Sequence, residues 1–322
     1  MPRPIILFSG VLADQPLDQL ASQVAEWGYH GLELSAGTAH LDIFQAAQDE
    51  YCSNHLATLN NHDLQVPVVA AFRVSQAIGD VIDARHQSLV PKHVWDDGNA
   101  PGVRARAIEE LIATIQTAQR LGASVVSGFI GSSIWSYVNG YPGISADRVD
   151  QAFRDFALTW RPILDACADC GVRFALEVHP SQLAFDFYST ERLLDALDHR
   201  SEFGLCVDPS HLHWQGMDPA LFVRHFGDRV YHVHMKDIYI RLDGRSSLLN
   251  SYLPYGDPRR GWEFRSPGRG GIAWEEFIRA LNDVGYDGPL SVDWRDDGLD
   301  RDFGLQEACQ FVKQLDFPSR RK

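Results

Sequence analysis

The feature that most restricts the fold of this chain is an alternation, kept eight times, of a short apolar strand and an amphipathic helix. The strands read as Ile5–Phe8, Gly31–Leu34, Leu64–Phe72, Ala123–Ile130, Val172–Val178, Phe203–Val207, Val230–Met235 and Leu290–Trp294. The helices between and after them read as Leu17–Trp27, Leu41–Asn61, Val103–Leu121, Ser145–Cys170, Thr190–Asp198, Asp218–Phe226, Ile272–Val284 and Phe303–Leu315. Strand–helix units in strict order imply a parallel sheet joined by right-handed crossovers. Eight such units are the number that closes an α/β barrel of the TIM type. The expectation is α/β, a single (β/α)8 TIM barrel over residues 1–317, with long loops at 73–102 and 237–271 and a basic tail at 318–322.

Composition narrows the function classes. The chain has 322 residues, 45% hydrophobic and 22% charged, which is ordinary for a globular protein and within the size range of one barrel. No apolar run approaches the ~20 residues of a membrane helix. The opening Met1-Pro-Arg-Pro-Ile-Ile-Leu-Phe-Ser-Gly10 is too short in apolar residues for a signal peptide and reads as the first strand. A cytoplasmic protein without a membrane partner is expected. The net charge of −14 argues against a nucleic-acid partner, which needs a basic surface. Cys52, Cys167, Cys170, Cys206 and Cys309 are an odd, scattered set and read as reduced thiols. Cys167 and Cys170 have CxxC spacing, but no second pair accompanies them, and they read as two thiols late on one helix. No phosphate-binding P-loop and no GxGxxG after a strand point to a nucleotide cofactor.

The chemistry concentrates at the ends of the last four strands. Phe174-Ala-Leu-Glu-Val-His-Pro180 carries Glu177 and His179; Gly204-Leu-Cys-Val-Asp-Pro-Ser-His211 carries Asp208 and His211. Val230-Tyr-His-Val-His-Met-Lys-Asp237 carries His232, His234 and Lys236, and Pro289-Leu-Ser-Val-Asp-Trp294 carries Asp293. Side chains alternate faces along a strand. Ala175, Glu177 and His179 therefore share one face, as do His232, His234 and Lys236, and Ser291 and Asp293. The opposite faces are apolar. A barrel interior lined this way brings carboxylates and an imidazole to its C-terminal rim, where such barrels do their chemistry. Two or three carboxylates with one imidazole suit a hard or borderline divalent cation. The competing reading is a hydrogen-bonded plug without metal. It must bury three carboxylates with no cation, which is costly.

The blocks LEVHP at Glu177, VDPSH at Asp208, VHMKD at His234 and GYDGPLSVDW up to Asp293 resemble the xylose-isomerase-like superfamily of TIM barrels, and more closely its sugar isomerase/epimerase branch, which has relatives that dehydrate keto-inositols. Pro254-Tyr-Gly-Asp-Pro-Arg-Arg-Gly-Trp262 and Arg265-Ser-Pro-Gly268 belong to the same resemblance. It implies a Glu, Asp, His, Glu metal set, which here falls on Glu177, Asp208, His234 and position 293. Position 293 is Asp where Glu is typical, shortening the reach by roughly one carbon–carbon bond, about 1.5 Å. Asp296 is a substitute ligand nearby. The implied ion is Mn²⁺, with Mg²⁺ or Co²⁺ as alternatives.

The reaction expected is proton abstraction next to a metal-bound carbonyl of a keto sugar or related polyol. Glu177 is the expected base, Asp293 the group that returns the proton from the opposite face, and His211 a further catalytic group. Glu33, His179, Lys236, Trp135 and Arg259 are expected substrate contacts, with His40 and Arg73 as weaker rim candidates and His232 as a core histidine. Isomerisation or epimerisation is the first outcome. The alternative is a lyase using the same enediolate chemistry, either a keto-inositol dehydratase or a deglycosidase of 3-keto C-glycosides, the latter with a small second subunit. Otherwise a homo-oligomer is expected. A DNA-repair nuclease on the same fold would need more metal ligands and a basic groove. A non-catalytic binding protein would follow if Asp293 has disabled proton transfer. Gly268-Arg-Gly-Gly271 lies where barrels often bind phosphate, and reads equally as a plain turn.

Overall fold

The computed structural model of the chain describes residues 2–318; of the tail expected at 318–322, residues 319–322 lie outside the described residues. In chain order the elements are β1 (Ile5–Phe8), α1 (Leu17–Trp27), β2 (Gly31–Ser35), α2 (Asp49–Asn60), β3 (Gln65–Ala70), α3 (Phe72–Gly79), α4 (Lys92–Trp95), α5 (Ala100–Arg120), β4 (Val125–Gly128), α6 (Ala146–Cys170) and β5 (Arg173–Glu177). There follow α7 (Phe187–Ala196), β6 (Phe203–Val207), α8 (Pro209–His213), α9 (Pro219–His225), β7 (Val230–Met235), β8 (Asp237–Ile240), β9 (Trp262–Arg265), α10 (Trp274–Asp283), β10 (Leu290–Val292) and α11 (Arg301–Leu315). Eight strands close in the hydrogen-bonded order β1-β10-β7-β6-β5-β4-β3-β2, so the fold is the (β/α)8 barrel that the alternation implies. No helix among the described residues is long and apolar enough to cross a membrane.

By contacts the chain forms two compact units. One comprises residues 1–33, 58–65 and 206–322. In it Ile6 is the register partner of both Gly31 and Ser291, Phe8 of Glu33, Ser291 of His234, and Val292 of Met235. This register decides which inward-facing side chains become neighbours. The other unit comprises residues 34–57 and 66–205. Here Val68 pairs with Val125, and Val126 with Phe174. Its core is aromatic: the fully buried Trp160 of α6 lies 4.7 Å from the Phe174 ring, 5.4 Å from Phe156 and 5.8 Å from Phe203. Ser145 caps the start of α6 by accepting from the Arg148 amide, and Gly171, at φ 64°, supplies the left-handed turn that ends it.

Two stretches expected to be irregular carry structure. Residues 73–102 contain α3, α4 and a single 3₁₀ turn at Ala84–Gln87, while the strand before them stops at Ala70 rather than Phe72. The buried face of α3 is Val74, Ser75, Ala77 and Ile78, a helical spacing too brief to stand out in a long window. Residues 237–271 contain the antiparallel pair β8–β9, with Ile238 opposite Phe264 and Ile240 opposite Trp262. Trp262 and Phe264 face inward and Glu263 and Arg265 outward, but only four residues alternate, and 21 residues separate the strands. No hairpin turn marks the pair in the sequence. The second predicted helix also starts later, at Asp49 instead of Leu41.

Candidate metal centre and active site

The three expected ligands in the first unit converge. Asp208 follows β6 directly, His234 is the penultimate residue of β7, and Asp293 follows β10. Each offers one ligand atom, and these atoms lie within 4.8 Å of one another. All three are buried, at 1%, 1% and 9% exposure. The convergence follows from register: Ser291 beside His234 and Val292 beside Met235 put Asp293 next to Lys236 on the inward face.

Local structure aims each group. Asp208 caps α8, its Oδ1 accepting from the Ser210 amide at 2.8 Å and the Ser210 hydroxyl at 2.7 Å. That leaves Oδ2 facing His211 Nε2 at 3.2 Å and Lys236 Nζ at 4.0 Å. His211 lies on the single-turn α8, which Pro209 and the Asp208 cap initiate. Lys236 is buried and ion-paired with Asp293. His234 turns Nδ1 toward Asp293 Oδ2, 3.9 Å away. The ligand types, their burial and their mutual distances fit a divalent cation taking oxygen and imidazole donors.

Beneath this rim is a fully buried carboxylate. Glu33 Oε2 accepts from His232 Nε2 at 2.8 Å, His234 Nε2 at 3.1 Å and the Ser291 hydroxyl at 2.6 Å. Burial alone would raise the Glu33 carboxyl, but the charges and hydrogen bonds of His232 and His234 outweigh it and hold it well below the usual carboxylate range. Glu33 was expected to touch substrate; it is fully buried and joined to the two histidines. His232 is a core histidine, as its deeper position suggested. Cys206, His232 and His234 also bring ligand atoms together, but both imidazoles already direct Nε2 at Glu33.

The β8–β9 pair forms a wall beside the ligands. Lys236 Nζ lies 4.7 Å from the centre of the Phe264 ring, and the His211 ring meets Phe264 edge-on at 5.7 Å. Trp262 stacks on Trp214 at 4.9 Å, and Arg260 packs on Tyr255 at 4.3 Å. Arg259 points elsewhere: its side chain is 73% exposed and pairs with Asp257 at 2.6 Å. Asp296 accepts from the Ser266 and Gly298 amides at 3.1 and 3.0 Å, which ties down the end of β9.

The glycine-rich turn is filled by the chain itself. The buried Asp237 carboxylate accepts from the amides of Gly268, Gly270 and Ile272 at 2.9, 3.1 and 3.2 Å, and from Trp274 Nε1 at 2.9 Å. A Cβ at Gly270 would sit 2.2 Å from Asp237 Oδ1, so no other residue fits there.

In the second unit Glu177 ends β5 and is 3% exposed. His179 packs against Phe129 at 5.2 Å and shares a 3.5 Å contact with the Ser181 hydroxyl. Trp135, on a 3₁₀ turn, meets Phe185 edge-on at 5.3 Å. Arg73 donates to the Leu89 carbonyl at 2.8 Å, and His40 is fully buried. Gln182 was missed by sequence reasoning. Its carbonyl accepts from the Ile130 and Gly131 amides at 2.9 and 2.7 Å, and its amide donates to Gln76 at 2.7 Å, joining two loops to α3. The five cysteines are free thiols; burial pushes the Cys167 thiol up to about 12, which leaves the CxxC pair without a reactive thiolate at Cys167.

Comparison with known proteins shows the family. The chain is 30% identical over 185 residues to the protein YfiH of Bacillus subtilis, covering 56% of this chain and 58% of that one. It is 28% identical over 127 residues to an inosose dehydratase of Clostridium perfringens, covering 39% and 42%. The chain thus spans little more than half, or less, of these relatives' lengths. Among solved structures, the probable 3-DHS dehydratase AsbF of Bacillus anthracis superposes with a TM-score of 0.67 at 18% identity, covering 96% of this chain and 98% of that one, which shows a shared fold. Residues 21–315 match the family described as xylose isomerase-like TIM barrel, and the chain belongs to that family.

Proposed function

We propose that this protein is a divalent-metal-dependent enzyme that removes the proton next to a carbonyl of a keto sugar or related polyol, as an isomerase or epimerase. The observation that carries this reading is the convergence of Asp208, His234 and Asp293 at the C-terminal ends of successive inward-facing strands. In this reading Glu177, which ends the strand next to β6 in the barrel order, completes the ligand set and is the base. Mn²⁺ is the proposed ion. Bound there, a divalent cation would polarise the substrate carbonyl and make the adjacent proton more acidic. The chain's own residues do the rest. Glu177 takes the proton, His211 orders Asp208 and faces the substrate side, and Phe264 with Trp262 shields the reacting carbon from water. His179 and Trp135 are the proposed contacts to the far end of the sugar.

The filled glycine-rich turn supports an unphosphorylated substrate. Its amides already serve the Asp237 carboxylate, so they offer a phosphate neither donors nor space.

A second reading is favoured by one specific contact. Epimerisation needs a second group able to deliver a proton to the opposite face, and Asp293 is ion-paired with Lys236. A buried ammonium beside the site is instead suited to protonating a leaving oxygen. Elimination β to the ketone, in a keto-inositol or a 3-keto glycoside, then becomes the outcome of the same first step. The similarity to inosose dehydratases supports this reading too.

The test is proton exchange in D₂O with the Mn²⁺-loaded protein and a panel of keto sugars, keto-inositols and 3-keto glycosides, followed by NMR. Deuterium next to the ketone supports proton abstraction. A new sugar isomer then identifies an isomerase or epimerase; loss of water or of an aglycone identifies the lyase. Glu177→Gln should lose exchange by a factor of at least about 100. Full exchange in that variant, or undiminished turnover after exhaustive chelation, overturns the proposal.

A further inference from the structure

We propose that Glu33 is a positioning residue that sets the tautomer of His234, forcing its proton onto Nε2 so that the lone pair of Nδ1 faces the ligand cluster. An ionised carboxylate only accepts. Glu33 Oε2 lies 2.8 Å from His232 Nε2 and 3.1 Å from His234 Nε2, so both of these nitrogens must carry hydrogen. The Ser291 hydroxyl, a third donor at 2.6 Å, leaves the same oxygen nothing to give back. A neutral imidazole protonated at Nε2 has its lone pair at Nδ1, and the Nδ1 of His234 is the atom that faces Asp293. Two oriented nitrogens on one ring, one on a carboxylate and one on the ligand side, are the arrangement by which a supporting carboxylate raises the basicity of a metal-binding histidine.

Backbone register builds this support. Ser291 is the partner of His234, and Phe8 the partner of Glu33, so Glu33, His234 and Ser291 project inward from strands held in fixed alignment. The Phe8 ring lies 6.1 Å from the His234 ring and limits its rotation. Glu33 is fully buried and bonded to His234, so it is placed to act on the reaction through that ring. The purpose of this tautomer rests on the metal reading above; the tautomer itself is a property of the metal-free chain.

The experiment is long-range ¹H–¹⁵N correlation on the imidazoles of the metal-free protein, together with Mn²⁺ affinity by calorimetry. The wild type should show His234 and His232 as Nε2–H tautomers. Glu33→Gln should show a mixture at His234 and bind Mn²⁺ about 10- to 100-fold more weakly. Ser291→Ala removes one donor to the same carboxylate but leaves both imidazoles facing it. It should keep the tautomer and stay within about threefold in affinity, where a merely structural role for this cluster would lower both variants alike. A wild-type His234 protonated at Nδ1 overturns the inference, as does a Glu33→Gln variant that folds with unchanged tautomer. Should Glu33→Gln fail to fold, the wild-type tautomer and Ser291→Ala decide. A wild type that shows the Nε2–H tautomer yet binds no Mn²⁺ overturns the metal reading and leaves the role of Glu33 supported.

Discussion

Replacing Asp237 with Ala would remove the one carboxylate around which residues 268–274 are arranged. Five donors lose their acceptor. The Ile238 and Ile272 amides and the indole N–H of Trp274 make buried hydrogen bonds to it, whereas those from the Gly268 and Gly270 amides are partly reached by solvent. An unsatisfied buried donor costs about 1–3 kcal/mol, and one that water can reach costs much less. The three buried donors therefore set the scale, and the expected loss is about 6 kcal/mol. For a chain of this length the unfolding entropy of about 2 cal/mol/K per residue converts that loss to a fall in Tm of about 9 °C. Asp237→Asn should cost nearly as much, because one carboxylate oxygen becomes an NH₂ facing N–H groups. The vacated space in Asp237→Ala is the size of a formate ion with donors on all sides. Formate should therefore recover part of the lost Tm in that variant and none in the wild type. Differential scanning calorimetry of the three proteins, with and without formate, checks this. A Tm for Asp237→Ala within about 1 °C of the wild type would refute the reasoning, since the turn would then be organised by its glycines alone.

Trp160→Ala should destabilise the aromatic core of the second unit by about 3–5 kcal/mol, read by urea denaturation, because a fully buried indole leaves a cavity between Phe156, Phe174 and Phe203. In thiol titration with a disulfide reagent near pH 8, Cys170 should react first and Cys167 only after unfolding; Cys167 is buried, its thiol pushed up to about 12, so almost none of it is thiolate. Fast labelling of Cys167 in the folded protein would contradict its placement.

Much of this site was legible in the chain. Strand parity put His234 and Asp293 on an inward face, because a period of two leaves each side chain only two possible faces, and polar residues recur on one of them. Asp208 stood out by its place at the end of an apolar strand just before Pro209, and the ligand role of all three was what the family resemblance implied. Gly171 announced the end of α6 for a similarly local reason: it stands in the left-handed conformation that favours glycine. The paired strands β8 and β9 were not legible, since four alternating residues carry too little pattern and their partners lie far apart in sequence. Arg259 shows the limit of composition: of two adjacent arginines, one is spread over Asp257 in solvent while Arg260 is buried against Tyr255 and Trp262.

Glu33 marks the division most clearly. The pattern of its strand put a carboxylate on an inward face, and the periodicity of the chain determined the barrel that gives such a face an inside. What that carboxylate meets was decided only by the register of β1, β2, β7 and β10, which brings residues about 200 and 258 positions away within hydrogen-bonding distance of it. Periodicity is a property of neighbours along the chain, so sequence alone determines it. The partner of a buried charge is a property of how strands align across the sheet, and tertiary structure alone decides that.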